Sequence, residues 1–267
     1  MPVGFFDSGI GGISVLEEAM HAMPEHSFLF YADRDHVPYG RRSCEEIVQL
    51  TDSAVQFLLE RGATTIVLAC NTATSAAAPY LREKYSVPIV GMEPAVKVAS
   101  RDIDKADGGH ILVTATDLTL RLKKLEDLIH RLGVDDIVYP LSLQRLVDFS
   151  EHQIFDGEEV ESYLFDAFAP YDFNNIRAVV LGCTHFTYFR SLISRMAEAR
   201  AGAQVPVIDG NNGTVRHLKA VTAEETTKYT RDEERVRFFE SGREMPYSYF
   251  DVYIKKARME NCGGVTL

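Results

Sequence analysis

Short apolar runs rich in β-branched residues alternate along this chain with stretches whose apolar residues recur at helical spacing. Val3 to Phe6 reads as a strand, Ile13 to Met23 as an amphipathic helix and Phe28 to Ala32 as a strand. Glu45 to Glu60 follows as a helix opened by a Ser43/Glu46 capping box, then Thr65 to Ala69 as a strand. A helix from Thr74 to Tyr85 and a strand from Val87 to Val90 continue the series. Such alternation predicts βαβ units, hence parallel sheets covered by helices. After the polar, glycine-ending stretch 102–109 the pattern restarts: strand His110 to Thr114, helix Leu120 to Leu132, helix Glu158 to Phe168, strand Ala178 to Gly182, helix Tyr188 to Ala199 and strand Val205 to Ile208. That stretch is the first boundary candidate. The tail from Ala223 to Glu244 mixes both charge signs and reads as a solvated surface segment.

The 267 residues suffice for a sizeable core, with 46% hydrophobic and 25% charged residues as in ordinary globular chains. Thirty-nine acidic against 28 basic residues give a net charge of −11. This excludes a basic nucleic-acid binder and docking on an anionic membrane. It leaves an anionic small molecule open, because local donors outweigh a distant field. Residues 63–81 carry no charge over 19 positions, but Asn71, Ser75, Pro79 and four threonines argue against a membrane span. The start shows no signal-peptide pattern, and the expected location is the cytoplasm. The four cysteines, Cys44, Cys70, Cys183 and Cys262, form no Cys-x-x-Cys pair, so neither a structural metal nor a disulfide framework is expected.

Two segments echo each other. Ile66 to Thr72 and Val179 to His185 are each an apolar strand, a small residue, a cysteine and then hydrogen-bonding residues that open a helix. Comparable units precede them, Gly4 to Gly12 and Ile111 to Thr119. Sixty-three residues separate Asp7 from Cys70, and 67 separate Thr116 from Cys183. The expected fold is therefore α/β with two similar lobes, each a mostly parallel sheet flanked by helices, and a ligand cleft between them. Ligands of such sheets bind at the carboxyl ends of the strands, which would put Cys70 and Cys183 on one cleft.

A cysteine beside helix N-terminal N–H groups is expected to have a depressed pKa. Two of them across one ligand make an acid–base pair: the thiolate removes a proton from one face of a carbon and the thiol returns one to the other. An α-carbon beside a carboxylate would be acidified by donors such as Ser8, Asn71, Thr72, Thr184 and nearby backbone N–H groups. Each piece also has a plainer reading. Either cysteine alone is ordinary core filling. Asp7-Ser8-Gly9 is a turn with an N-cap. Gly9-x-Gly11-Gly12 loosely suggests phosphate binding but lacks the G-x-G-x-x-G spacing. His185 is either a satisfied polar residue or the base of a Cys–His nucleophile pair.

With these residues in view, the sequence resembles the glutamate racemases, within the wider aspartate/glutamate racemase superfamily. The match rests on Phe6-Asp7-Ser8-Gly9-Ile10-Gly11-Gly12, Pro38-Tyr39-Gly40, Ala69-Cys70-Asn71-Thr72-Ala73, Gly91-Met92-Glu93-Pro94-Ala95 and Gly182-Cys183-Thr184-His185, extended by Ile208-Asp209-Gly210. His185 favours the glutamate branch, because aspartate racemases typically carry Glu there. The resemblance implies cofactor-independent interconversion of L- and D-glutamate that feeds peptidoglycan. Cys70 would deprotonate the D enantiomer and Cys183 the L enantiomer, assisted by Asp7 and His185 respectively. Ser8, Pro38, Tyr39, Gly40, Asn71, Thr72, Thr116, Thr119 and Thr184 would hold the substrate. The resemblance further implies a homodimer and a discontinuous first lobe, 1–98 with 210–267, around a second lobe, 99–209. Some members use an acid after the position of Pro140, for which Asp148 is the candidate here. Phe186-Thr187-Tyr188-Phe189, Arg121-Leu122 and Arg41 depart from the family's usual residues. Racemisation of aspartate or another amino acid, and non-catalytic amino-acid binding on the same lobes, are the alternatives.

Overall fold

Val3–Asp7 forms the first strand, β1, and every later element of the first sheet is arranged around it. A computed structural model describes residues 1–101, 103, 108–224 and 226–262. The polar stretch 102–109 lies outside the described residues except at 103, 108 and 109. β2 (Phe28–Ala32) and β3 (Thr65–Leu68) pair with β1 on either side, both parallel, and β4 (Ile89–Gly91) extends the β3 edge. A second sheet follows the same plan. β5 (His110–Ala115) lies between β6 (Val138–Ser142) and β7 (Ile176–Leu181), and β8 (Val207–Asp209) extends the β7 edge. The strand orders β2-β1-β3-β4 and β6-β5-β7-β8 are therefore equivalent. The internal echo of the sequence is the trace of this repeated topology.

Helices cover the sheets. α1 (Ile13–Ala22), α2 (Cys44–Glu60) and α3 (Asn71–Lys84) belong to the first. The capping box that opens α2 forms as expected, with the Ser43 hydroxyl accepting from the Glu46 N–H and the Glu46 carboxylate accepting from the Ser43 N–H. α3 starts at Asn71 rather than Thr74, because the sulfur of Cys70 is itself the N-cap. α4 (Val96–Ala99), α5 (Asp117–Arg121) and α6 (Lys123–Leu132) come next. The single helix expected over 120–132 is broken by Leu122, whose backbone is extended. α7 (Arg145–Glu151), α8 (Glu158–Phe168) and α9 (Arg190–Ala201) complete the second sheet's cover. The expected start of the last helix at Tyr188 falls inside a 3-10 turn, Thr184–Phe189, which leads directly into α9.

The chain then returns to the first sheet. α10 (Asn211–Val221) packs on α1, and β9 (Val236–Glu240) pairs in parallel with β2. β10 (Arg243–Met245) closes an antiparallel hairpin with β9, and α11 (Tyr247–Cys262) lies against α1. The expectation of a solvated segment over 223–244 is thus corrected. Val236, Phe238 and Phe239 are buried, and a strand is built where flanking charges had masked a short apolar run.

One apolar core runs from the first sheet to the second. It joins Ile10, Ile13 and Leu16 to Leu143, Leu146, Phe186, Tyr188 and Phe189. Two further cores fill the outer faces, one beneath α2 and α3 and one around Val96, Val113, Leu125 and Val180. Each large side chain so buried contributes about 1.5–3 kcal/mol. The continuous core fixes the carboxyl ends of β1 and β3 against those of β5 and β7. No helix among the described residues is long and apolar enough to cross a membrane.

Candidate active site

Four strand ends build the site. β1 ends on Asp7, and Cys70 follows β3 on the neighbouring strand. Thr116 follows β5, and Cys183 follows β7, again on neighbouring strands. All four side chains are buried. The two cysteine turns meet directly, since Asn71, next to Cys70, donates to the carbonyl of Gly182, next to Cys183, at 2.9 Å.

Around Cys70 the first lobe supplies its own network. The sulfur faces the Ser8 hydroxyl at 3.6 Å and accepts from the Ala73 N–H at 3.4 Å. The Asp7 carboxylate accepts from the N–H groups of Ser8 and Gly12 and from the Ser8 hydroxyl. The glycine-rich turn thus directs its N–H groups at protein carboxylates: Gly12 donates to Asp7 and Ile10 to Glu151, at 2.9 Å in the second case. That turn is filled by the protein, which removes the suggestion of a phosphate site.

Around Cys183 a second network forms. The sulfur lies 3.8 Å from His185 Nδ1, and His185 Nε2 lies 2.7 Å from Glu151 Oε1. Glu151 sits at the end of α7 and is buried. Asp148, the acid suggested by the resemblance, lies one turn earlier on the same helix. It is partly exposed and pairs with Arg41 at 2.8 Å. The acid that meets the histidine is therefore Glu151, and Asp148 is an outward-facing partner of Arg41. Gly9 and Gly11 make this meeting possible. A Cβ on Gly9 would stand 1.9 Å from Glu151 Oε1, and one on Gly11 would stand 2.4 Å from His185 Nδ1.

Hydroxyls from both lobes converge between these networks. Thr72 Oγ1 on α3 lies 3.1 Å from Thr116 Oγ1 and 3.0 Å from Thr119 Oγ1, and the last two are 2.9 Å apart. Asn71 donates to the Gly182 carbonyl at 2.9 Å, while its Oδ1 is buried with no partner among the described residues. Gln144 Nε2 is in the same state. Gly40 approaches this group closely, since a Cβ there would lie 3.1 Å from Thr116 Cβ and 2.4 Å from Gln144 Oε1. Thr184 is buried beside Gly11. Pro38 precedes the turn Tyr39–Arg41. Tyr39 is placed differently from a free donor: its hydroxyl donates to Asp33 Oδ2 at 2.7 Å and its ring packs on Phe6.

The family model described as Asp/Glu/Hydantoin racemase matches residues 12–218, most of the chain and both lobes. The chain belongs to this racemase family. It is 47% identical over 221 residues to a glutamate racemase from Campylobacter curvus, covering 82% of each chain. It is 42% identical to one from Lachnospira eligens, covering 96% of each. The crystal structure of a glutamate racemase isoform from Bacillus anthracis superposes with a TM-score of 0.74 at 28% identity, covering 89% of this chain and 87% of that one. The protein is an amino-acid racemase, and its two lobes, parallel sheets and flanking helices match the expected fold class.

The electrostatics of the racemase site differ from the expectation at one thiol. Burial pushes the Cys70 thiol well up, and the nearby Asp7 charge adds to that. The Ala73 N–H and the Ser8 hydroxyl act in the opposite direction and are outweighed. A helix N-terminus lowers a thiol pKa only where desolvation does not exceed it. Asp7 is itself raised by burial, against the opposing influence of His185 and the Gly12 N–H. Burial works against charge at His185 too, yet the contacts with Cys183 and Glu151 and the charge of Asp7 raise it well above its ordinary value. Glu151 ends up lowered: burial raises it, but His185, the Ile10 N–H and Arg34 together prevail. Both shifts favour the charged forms, carboxylate on Glu151 and imidazolium on His185.

Proposed function

We propose that this racemase interconverts L- and D-glutamate without a cofactor, using Cys70 and Cys183 as a two-thiol acid–base pair. The observation that carries the reading is the matched placement of the two sulfurs. Each follows the equivalent strand of one lobe, each has its own hydrogen-bonding network, and the triad of Thr72, Thr116 and Thr119 hydroxyls joins the lobes beside them.

In the L-to-D direction the Cys183 thiolate takes the α-proton and becomes a thiol. The electron pair left at Cα delocalises into the adjacent carboxylate as an enediolate. The Cys70 thiol then delivers its proton to the opposite face and becomes a thiolate. One proton enters and one leaves, and the reverse reaction exchanges the roles. The raised Cys70 thiol is already in the protonated form that this direction requires. A protonated His185 beside Cys183 supplies the positive charge that a thiolate base needs next to it. Asp7 has the opposite sign, so in the D-to-L direction its part is that of a base: its carboxylate, held by Ser8 and Gly12 and raised by burial, takes up the proton that Cys70 must lose. The substrate ammonium adds positive charge between the sulfurs and favours whichever thiolate is in use.

Ser8, Thr72, Thr116, Thr119 and Thr184 are the hydroxyl donors for the substrate's carboxylates, and Asn71 Oδ1 is an acceptor for its ammonium group. Gly40 and Pro38 shape the wall that brings Thr116 into place, and Tyr39 acts through its tie to Asp33. The lobes proposed are 1–98 with 210–267 and 99–209, with α4 straddling the boundary between 98 and 99. The family resemblance supports the remaining parts: supply of D-glutamate to peptidoglycan, a cytoplasmic location and a homodimer.

Incubation with L-glutamate, L-aspartate and other L-amino acids, followed by circular dichroism, tests the reading. Glutamate should lose its optical activity far faster than the rest. Faster loss with aspartate would reassign the substrate. Binding of an amino acid with no racemisation of any would favour a binding protein.

A further inference from the structure

Arg34 lies on the short turn Arg34–His36 that follows β2, outside every motif of the family resemblance. Its guanidinium is mostly buried and has partners on three elements. Nε donates to Glu151 Oε2 at 2.8 Å and Nη2 to the Glu151 main-chain carbonyl at 3.0 Å. Nη1 reaches Glu240 Oε2 at 3.2 Å on β9 and the Tyr249 hydroxyl at 2.9 Å on α11. The other Glu151 oxygen, Oε1, accepts from the Ile10 N–H at 2.9 Å and faces His185 Nε2 at 2.7 Å.

We infer that Arg34 is a positioning residue of the Cys183 half of the site, gripping Glu151 so that a single carboxylate oxygen is presented to His185. This rests on the two-thiol reading above. A carboxylate fixed at both oxygens does not rotate, so His185 Nε2–H has one acceptor in one place. The ring is then locked with Nδ1 towards the Cys183 sulfur. The planar fork matters as much as the charge. Lysine brings a positive charge but no paired donors at fixed geometry. Arg34 also helps to keep Glu151 ionised, so that it accepts from His185 as a carboxylate. The other titratable groups facing this cluster are Asp7 on β1, Tyr188 in the Thr184–Phe189 turn and Tyr253 on α11. Glu240 and Tyr249 face the outer end of the guanidinium. The hairpin and the C-terminal helix, far apart from the motifs in sequence, are tied in this way to one of the two thiols.

Arg34→Met and Arg34→Lys in the full chain test this, each measured for kcat and KM in both directions. The downfield proton of His185 Nε2–H is followed by NMR and assigned against His185→Gln. Arg34→Met should lower kcat about tenfold with KM nearly unchanged, on the scale of removing a partner that orients a ligand. Its His185 proton should broaden or vanish through faster exchange. Arg34→Lys should keep the melting temperature close to that of the unsubstituted protein while kcat stays low. If both variants keep kcat and the His185 proton, the inference is overturned. It is also overturned if kcat falls only together with KM and melting temperature while the proton persists, which marks a merely structural role. If the unsubstituted protein does not racemise glutamate, the functional reading fails, while the His185 proton still decides the role of Arg34.

Discussion

Glu151 and Asp148 share one helical turn and have opposite surroundings. The first is buried on His185, and the second is half-exposed on Arg41. Replacing Glu151 by Gln leaves His185 without its carboxylate and Arg34 with Glu240 alone, and should cost about 3 kcal/mol, at the low end for breaking a buried ion pair. Urea denaturation as a function of pH checks the cause. Glu151 is lowered in the folded state, so its contribution is present above the ordinary carboxylate value and is lost as pH falls through the folded one. His185 is raised, so its contribution is present below the ordinary imidazole value and lost as pH rises through the folded one. The stability gap between the unsubstituted protein and Glu151→Gln should therefore be widest in mildly acidic to neutral solution and shrink at low pH. A gap that is independent of pH would contradict the ion pair. Gly11→Ala is the steric counterpart. Its Cβ would lie 2.6 Å from the His185 main-chain nitrogen, which is backbone and not free to move aside. A loss of about 3 kcal/mol or more is expected, with racemase activity falling in parallel. An unchanged melting temperature in the Gly11→Ala variant would refute the close approach.

At the scale of elements, the parallel strands were legible because both faces of their sheets are covered, which leaves continuous apolar runs such as Ile66 to Leu68 and Val179 to Leu181. The two cysteine turns were legible because the topology repeats. Glu151 was not, since α7 is short, carries no clear period, and bears two acids one turn apart, of which the sequence reading singles out Asp148. β9 was hidden by the charges around it. Its burial is measurable: Phe238, which packs on Phe30 and stacks on Phe250, should cost about 3–5 kcal/mol when replaced by alanine. A cost below about 1 kcal/mol would place 223–244 at the surface after all. Helix starts were misjudged where the cap was not a standard one, as with the sulfur of Cys70 on α3. Where the cap is Ser43, the helix begins at Cys44, one residue before the expected Glu45. Ser43→Ala should remove about 1 kcal/mol, read as a lower melting temperature with unchanged kcat.

For the whole molecule, two equivalent sheets meet through one core, with Cys70 and Cys183 buried after equivalent strands and Thr72 hydrogen-bonded to Thr116 between the lobes. Charge, composition and hydropathy said nothing of this arrangement. They only excluded other classes of protein, while the repeated spacing of Asp7 to Cys70 and Thr116 to Cys183 carried the lobes. The expected depression of both thiols did not survive at Cys70, because burial cannot be read from a strand-end motif. The central claim is that each enantiomer is deprotonated by its own sulfur, and α-deuterium incorporation in D₂O without added cofactor tests it most directly. L- and D-glutamate should both lose optical activity and gain deuterium at Cα with the unsubstituted protein. Racemisation should collapse by orders of magnitude in both Cys70→Ser and Cys183→Ser, with any residual exchange confined to opposite enantiomers in the two variants. Racemisation that survives either substitution at near-normal rate would contradict the account.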